Sequence, residues 1–195
     1  MLTRTVNTGS DQIASLMNEK LMGRVVVKEP TSAASARPRV LVFPGHLVTR
    51  AESGDLLQRA GANATNEKLQ IRTLDLAPNT SIYTISRDDF IGATRLLFLD
   101  DILGRNLPHG AIVIVPRANL VCVLPLDRSS DASLLPDMMR LLHDVAGQAP
   151  TTPSLDAFWF HAGQLDPLNA QISGGTLERI SPPPGFTETL AHLPR

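Results

Sequence analysis

Ala111-Ile112-Val113-Ile114-Val115-Pro116-Arg117-Ala118-Asn119-Leu120-Val121-Cys122-Val123-Leu124-Pro125-Leu126 is the stretch on which the fold turns. It holds two short apolar runs, 111–115 and 120–124, rich in valine and isoleucine. Branching at Cβ stiffens χ1 and favours extended backbone over helix. The linking residues Pro116-Arg117-Ala118-Asn119 suit a four-residue loop built on a type I turn. The expectation is a buried antiparallel hairpin. Neither run alternates apolar with polar residues, so both faces of both strands need cover. They are central strands of a covered sheet, or strands that meet a second subunit.

On the N-terminal side of the hairpin, Phe90, Ala93, Leu96, Leu97, Leu99, Ile102 and Leu103 give helical spacing over Arg87–Leu103, opened by Ser86-x-x-Asp89 and stopped by Gly104. On the C-terminal side, Leu134, Leu135, Met138, Leu142 and Val145 form a stripe on a helix running to Ala146. Ser133 is its expected cap, and Pro136 is tolerated in the first turn because donors there have no partner. Asp156–His161, around Phe158-Trp159-Phe160, reads as a strand, and Thr176–Ile180 as a last short one. Leu69–Leu76 alternates like a one-sided strand, and Ile82–Ile85 follows it across a Pro78-Asn79 turn. Further upstream, the spacing of Ile13, Leu16, Met17 and Leu21 predicts a helix over Asp11–Met22, capped by Ser10 and stopped by Gly23. Arg24–Lys28 and Arg39–Phe43 read as strands, with the loop 29–38 between them. Thr49-x-x-Glu52 has the spacing of a capping box that starts a helix ending near Ala60, with Gly61 as its stop. These readings sum to an α+β fold, a mainly antiparallel sheet with the central hairpin 111–126 covered by helices. Residues 1–180 are expected to form a single α+β domain, and 181–195, with Pro182-Pro183-Pro184, a proline-rich C-terminal arm.

Composition narrows the classes. With 195 residues and 43% hydrophobic content the chain can bury a sizeable core, and the low hydrophobicity and high charge of disordered chains are absent. A net charge of −1 with 18 dispersed basic residues argues against a nucleic-acid partner. Apolar runs are too short to span a bilayer, so no membrane partner is expected. Met1 to Ser10 lacks the apolar segment of a secretory signal, and Cys122 is the only cysteine, so the expected compartment is the cytoplasm.

The motifs that carry chemistry are missing. There is no Gly-x-Ser-x-Gly elbow and no phosphate-cradling glycine loop. Cys122 lies among valines, where a small core residue is the better reading than a reactive thiolate. The histidines, His46, His109, His143, His161 and His192, include no pair at i, i+4, so no metal site is expected, and no cofactor. Asp88-Asp89 and Asp100-Asp101 are neighbours that diverge on a helix. Trp159 and Phe160 could anchor a partner, as aromatic hot spots do, although packing inside the fold is the commoner role of such a strand.

The segment from Asp88 to Leu126, with GATRLLFLDDIL at 92–103 and AIVIVPRANLVCVLPLD at 111–127, resembles the YtpQ-like bacterial family of unknown function. VLVFPGHLV at 40–48 is similar to an earlier strand-Pro-Gly segment of that family. The resemblance covers about half the chain and implies no activity. In element order the chain is also similar to YbjN-like proteins and the small α/β chaperones of secretion systems, a resemblance that implies polypeptide binding by a dimer. Two functions follow as expectations. One is a non-enzymatic protein-binding or chaperone-like module, a homodimer with a possible further protein partner. The other is a small hydrolase or ligand-binding enzyme whose site gathers residues distant in sequence, such as His46, His109 and Asp127.

Overall fold

The computed structural model describes residues 68–87, 96, 99–117, 119–146, 156–173 and 176–194, the strand segments 5–6, 14–16, 22–24, 26–28 and 40–42, and positions 55, 59 and 62. The chain divides into two compact units, Met1–Asn66 and Glu67–Arg195.

In the first unit, β1 (Thr5–Val6), β2 (Ala14–Leu16) and β3 (Met22–Arg24) form a small antiparallel sheet, and β4 (Val26–Lys28) pairs with β5 (Val40–Val42). The strand expected over Arg24–Lys28 is divided, since Arg24 ends β3 and Val26–Lys28 is β4 of another sheet, and Val40–Val42 is the strand within the expected Arg39–Phe43. The helix expected over Asp11–Met22 is not, because its centre, Ala14–Leu16, is a strand. A twelve-residue helix is marginal without tertiary support. As a strand the segment pairs on both sides, with Thr5–Val6 and with Met22–Arg24, and Gly23 pairs with Ser15 instead of ending a helix. Of the capping-box helix, Asp55 and Arg59 are helical, and so is Ala62 beyond the expected stop; the rest lies outside the described residues.

The second unit is built on an open six-stranded antiparallel sheet with helices, the α+β architecture expected. Its strands are β6 (Gln70–Ala77), β7 (Thr80–Ser86), β8 (Ala111–Arg117), β9 (Leu120–Pro125), β10 (Ala157–His161) and β11 (Gln164–Pro167), in the order β11-β10-β8-β9-β7-β6. The hairpin β8–β9 sits at the centre. Its register runs Ala111↔Pro125, Ile112↔Leu124, Val113↔Val123 and Ile114↔Cys122, and resumes at Arg117↔Leu120. The expected four-residue loop is therefore corrected: β8 continues through Pro116 and Arg117, with Val115 and Pro116 opposite Val121 alone. Proline has no N–H to give a ladder, and a bulge is where one is not required.

Both faces of the hairpin are buried within the one chain. Residues 111–115 and 121–124 are all 0% exposed. On one face Ile112, Ile114, Cys122 and Leu124 cluster with Leu135, Met138, Met139 and Leu142 of α2 (Leu135–Ala146); α1 (Leu99–Leu103) is the helix that precedes the hairpin. Val113, Val123 and Phe158, on the opposite face by strand alternation, are equally buried. The two-sided apolarity is spent inside the fold.

Several boundaries moved. The helix expected over Arg87–Leu103 does not begin at Arg87: Ser86 still pairs with Leu120, and Arg87 N donates to Asn119 O at 3.2 Å, prolonging the ladder. Leu99–Leu103 is helical and Gly104, at φ 60°, ends it as expected; 88–95 lie outside the described residues. Ser133 does not cap α2. A 3-10 turn, Ser129–Leu134, precedes that helix, and the Ser133 hydroxyl donates to Ser130 O at 2.6 Å. The strand expected over Thr176–Ile180 is β13 (Thr176–Arg179), paired with β12 (Gln171–Ser173) in a separate two-stranded sheet.

The arm expected over 181–195 is a helix for most of its length, α3 (Pro184–His192). Proline suits a first helical turn, where its missing N–H costs nothing, so the Pro182–Pro184 run starts the helix instead of excluding it. Phe186 and Leu193 are buried in the core cluster, which removes enough apolar surface to hold the segment down.

Candidate functional site

The sheet has two unlike edges. β11 is four residues long and ends at Pro167, the short, proline-closed edge that resists further pairing. β6 is eight residues long, contains no proline, and is exposed from Gln70 to Asp75. Ile71 and Leu74, at 43% and 44% exposure, are two of the three large apolar side chains exposed among the described residues. Arg72 and Asp75 are its charged positions.

Beside this edge lies a polar cleft of about 140 Å³. Its floor comes from the turn that links β6 to β7. Ala77 pairs with Thr80, leaving Pro78-Asn79 as the two-residue loop, and Asn79 takes the left-handed conformation at φ 66°. Thr80, Ser81 and Tyr83 follow on β7 and line the cleft, and the Ser81 hydroxyl donates to Asp75 Oδ1 at 2.7 Å, joining the cleft to the edge strand.

The opposite wall is set by Asp131. It is the one buried charged side chain among the described residues, 3% exposed, and its carboxylate accepts three hydrogen bonds. Thr80 Oγ1 donates to Oδ1 at 3.1 Å, and the backbone N–H groups of Asp127 and Arg128 donate to Oδ2 at 2.9 and 2.7 Å. Buried charge is tolerated only with such compensation. Asp131 thus ties the end of β9 to the start of β7 and turns Asp127 and Arg128 toward the cleft.

Arg105, just past α1, completes the site. Its Nη2 donates to Asp127 Oδ1 at 2.6 Å, and its side chain also hydrogen-bonds Tyr83. Burial works against the charged guanidinium, but the bonds to Tyr83 and Asp127 outweigh it and hold Arg105 above its ordinary value. The guanidinium is therefore a permanent, oriented cation.

Among the described residues no histidine lines the cleft, and the hydroxyls of Ser81 and Thr80 donate to the carboxylates of Asp75 and Asp131. Among the described residues no group of three or more His, Cys, Asp or Glu side chains could hold a metal ion, and no helix is long and apolar enough to cross a membrane.

The residues singled out from sequence fall differently. His46 and His143 lie outside those whose side chains the structure describes. Leu126 N donates to Gly110 O at 3.1 Å, which puts His109 and Asp127 one step further along the two chain segments, but only Asp127 lines the cleft. Trp159 and Phe160 are 5% and 2% exposed and belong to the interior. The Trp159 indole N–H donates to His109 O at 3.2 Å, its ring meets Phe186 edge-on, and His161 stacks on it. Cys122 is buried, and burial pushes its thiol up to about 12. Sequence reading missed Tyr83, Arg105, Arg128 and Asp131. The one available signal was Asp131 itself, an acid in the first turn of the helical segment that follows β9.

No protein family, no curated protein and no solved structure matches this chain.

Proposed function

We propose that this chain is a non-enzymatic protein-binding module that pairs with a second copy of itself through β6. One observation carries the reading: a long, proline-free, exposed edge strand with two apolar side chains in water. Such an edge presents unpaired N–H and C=O groups to any extended segment. A two-fold axis normal to the sheet keeps each strand face on its own side, so opposed residues must have the same parity. A pairing centred on Leu74 meets that condition. It covers Leu74 with its own copy and sets the Thr73 hydroxyl opposite Asp75. The cytoplasm is the compartment we assign, since the only cysteine has no second thiol in the chain to oxidise with.

Sedimentation equilibrium over a wide concentration range tests the pairing. The expected result is reversible dimerisation that Leu74→Glu abolishes, because it sets two carboxylates face to face at the axis. A wild-type chain that stays monomeric throughout overturns it.

A second reading, binding of a small polar ligand, is favoured by the cleft. It gathers Tyr83, Arg105, Asp127, Arg128 and Asp131 from segments far apart in sequence. Its volume suits a group of a few heavy atoms and is well below that of a usual cofactor pocket.

A further inference from the structure

We infer that the cleft beside β7 binds a small oxyanion, a carboxylate or phosphate group, on the N–H donors of Arg105 and Arg128 and the hydroxyl of Tyr83. The inference rests on the small-ligand reading and names its chemistry.

A count of donors and acceptors supports it. Asp131 has most of its acceptor positions filled by Thr80 and two backbone N–H groups, so it offers a ligand little. Asp127 has one oxygen committed to Arg105. Arg105 carries five N–H donors and directs them at Asp127 and Tyr83, leaving others to face the cleft. Tyr83 accepts from Arg105, and its phenol O–H is a further donor. Arg128 is exposed at the rim, with its backbone N–H fixed on Asp131. Donors therefore exceed acceptors, and the group that satisfies such a site is rich in oxygen lone pairs.

Charge and size narrow the class further. Among the described residues two arginines face two aspartates, so that lining is formally neutral and has no net field to gather ions without discrimination. Binding must come from the geometry of the donors. An arginine already braced by a carboxylate and a phenol is oriented before the ligand arrives, which lowers the ordering cost of binding. About 140 Å³ admits a carboxylate or a phosphate with a short substituent.

The chain carries its own reporter, because Tyr83 is the only tyrosine and Trp159 the only tryptophan. Protein grown with 3-fluorotyrosine gives one fluorine resonance, read during titration with sodium phosphate, sodium acetate, sodium chloride at matched ionic strength, and glycerol. The expected result is a saturable shift with phosphate or acetate and only linear drift with chloride. The tighter of the two anions distinguishes a phosphoryl from a carboxyl ligand. Arg105→Gln should weaken binding by about tenfold or more, the loss expected for a charged hydrogen-bond donor. Trp159 emission reports whether that variant is folded. Should it not be, the exposed Arg128→Gln replaces it, with a loss of several-fold expected. Saturation by glycerol but by neither anion overturns the oxyanion inference and leaves the small-ligand reading standing. Linear drift with every solute overturns both. Saturation by an anion that neither arginine variant weakens also overturns the inference.

Discussion

The imidazole of His161 stacks on the indole of Trp159, with ring centroids 3.6 Å apart and planes 21° apart. His161 Nε2 meets Asp166 Oδ2 at 2.7 Å across the tight Ala162-Gly163 turn, so the ring is held in place over the indole. Trp159 in turn meets Phe186 of α3, at 5.5 Å and 74°. The stack thus links the end of β10 to the C-terminal helix. His161→Ala should lower stability by about 1 kcal/mol, the worth of an aromatic contact. Because Trp159 is the only tryptophan, its emission intensity should change in the same variant. Unaltered emission with unaltered stability would sink this assignment.

Gly110 should be the least tolerant position near that stack. It sits at φ 79°, and a Cβ there would lie 2.1 Å from the Phe160 carbonyl oxygen and 2.7 Å from Trp159 Nε1. The oxygen belongs to backbone in the middle of the sheet and cannot swing away. Gly110→Ala should therefore cost more than about 3 kcal/mol, from strain and overpacking together. Gly104 is the control: its φ is 60°, but nothing lies within 4 Å of an added Cβ. Gly104→Ala should cost only the backbone strain, about 1 kcal/mol. Urea midpoints of the two variants give the comparison.

Asp131 separates a demand for acceptors from a demand for charge. All three of its partners donate to it. Asp131→Ala strands a hydroxyl and two backbone N–H groups and should cost about 3 kcal/mol or more. Asp131→Asn keeps one oxygen for the two N–H groups, and its amide can donate to Thr80 Oγ1. It should stay within about 1 kcal/mol of wild type. Equal losses in thermal unfolding would show that the carboxylate charge, and not its acceptors, holds the turn.

Cys122 makes a prediction about alkaline pH. Its thiol is raised by burial from 9.0 to about 12. The folded state therefore keeps the proton while the unfolded thiol loses it. The stability contribution is intact below pH 9 and declines as pH rises toward 12, by about 4 kcal/mol at most. Cys122→Ala should flatten unfolding free energy against pH across that window, at the cost of a small cavity. In the native protein a thiol reagent should react with Cys122 only at the rate of unfolding.

The chain's own residues determined the central elements. Valine and isoleucine on both faces of 111–115 and 120–124 have no comfortable place except a covered sheet. The stripe through Leu135, Met138 and Leu142 has no comfortable place except against one. Proline and asparagine at 78–79 placed the β6–β7 turn for similarly local reasons. Tertiary structure alone decided where local signals were weak or balanced. Ala14–Leu16 became a strand because neighbours on both sides offered hydrogen bonds that a short isolated helix could not match. Pro182–Pro184 opens a helix because Phe186 and Leu193 could be buried. Ala162 takes φ 45° in a turn that alanine does not advertise, since the pairing of β10 with β11 outweighs the local cost. The cleft belongs wholly to this second kind. Tyr83, Arg105, Asp127 and Asp131 are unremarkable polar residues in sequence, and only strand order brings the segments that carry them to one end of the sheet. Strand order is set by long-range pairing, which no local pattern encodes.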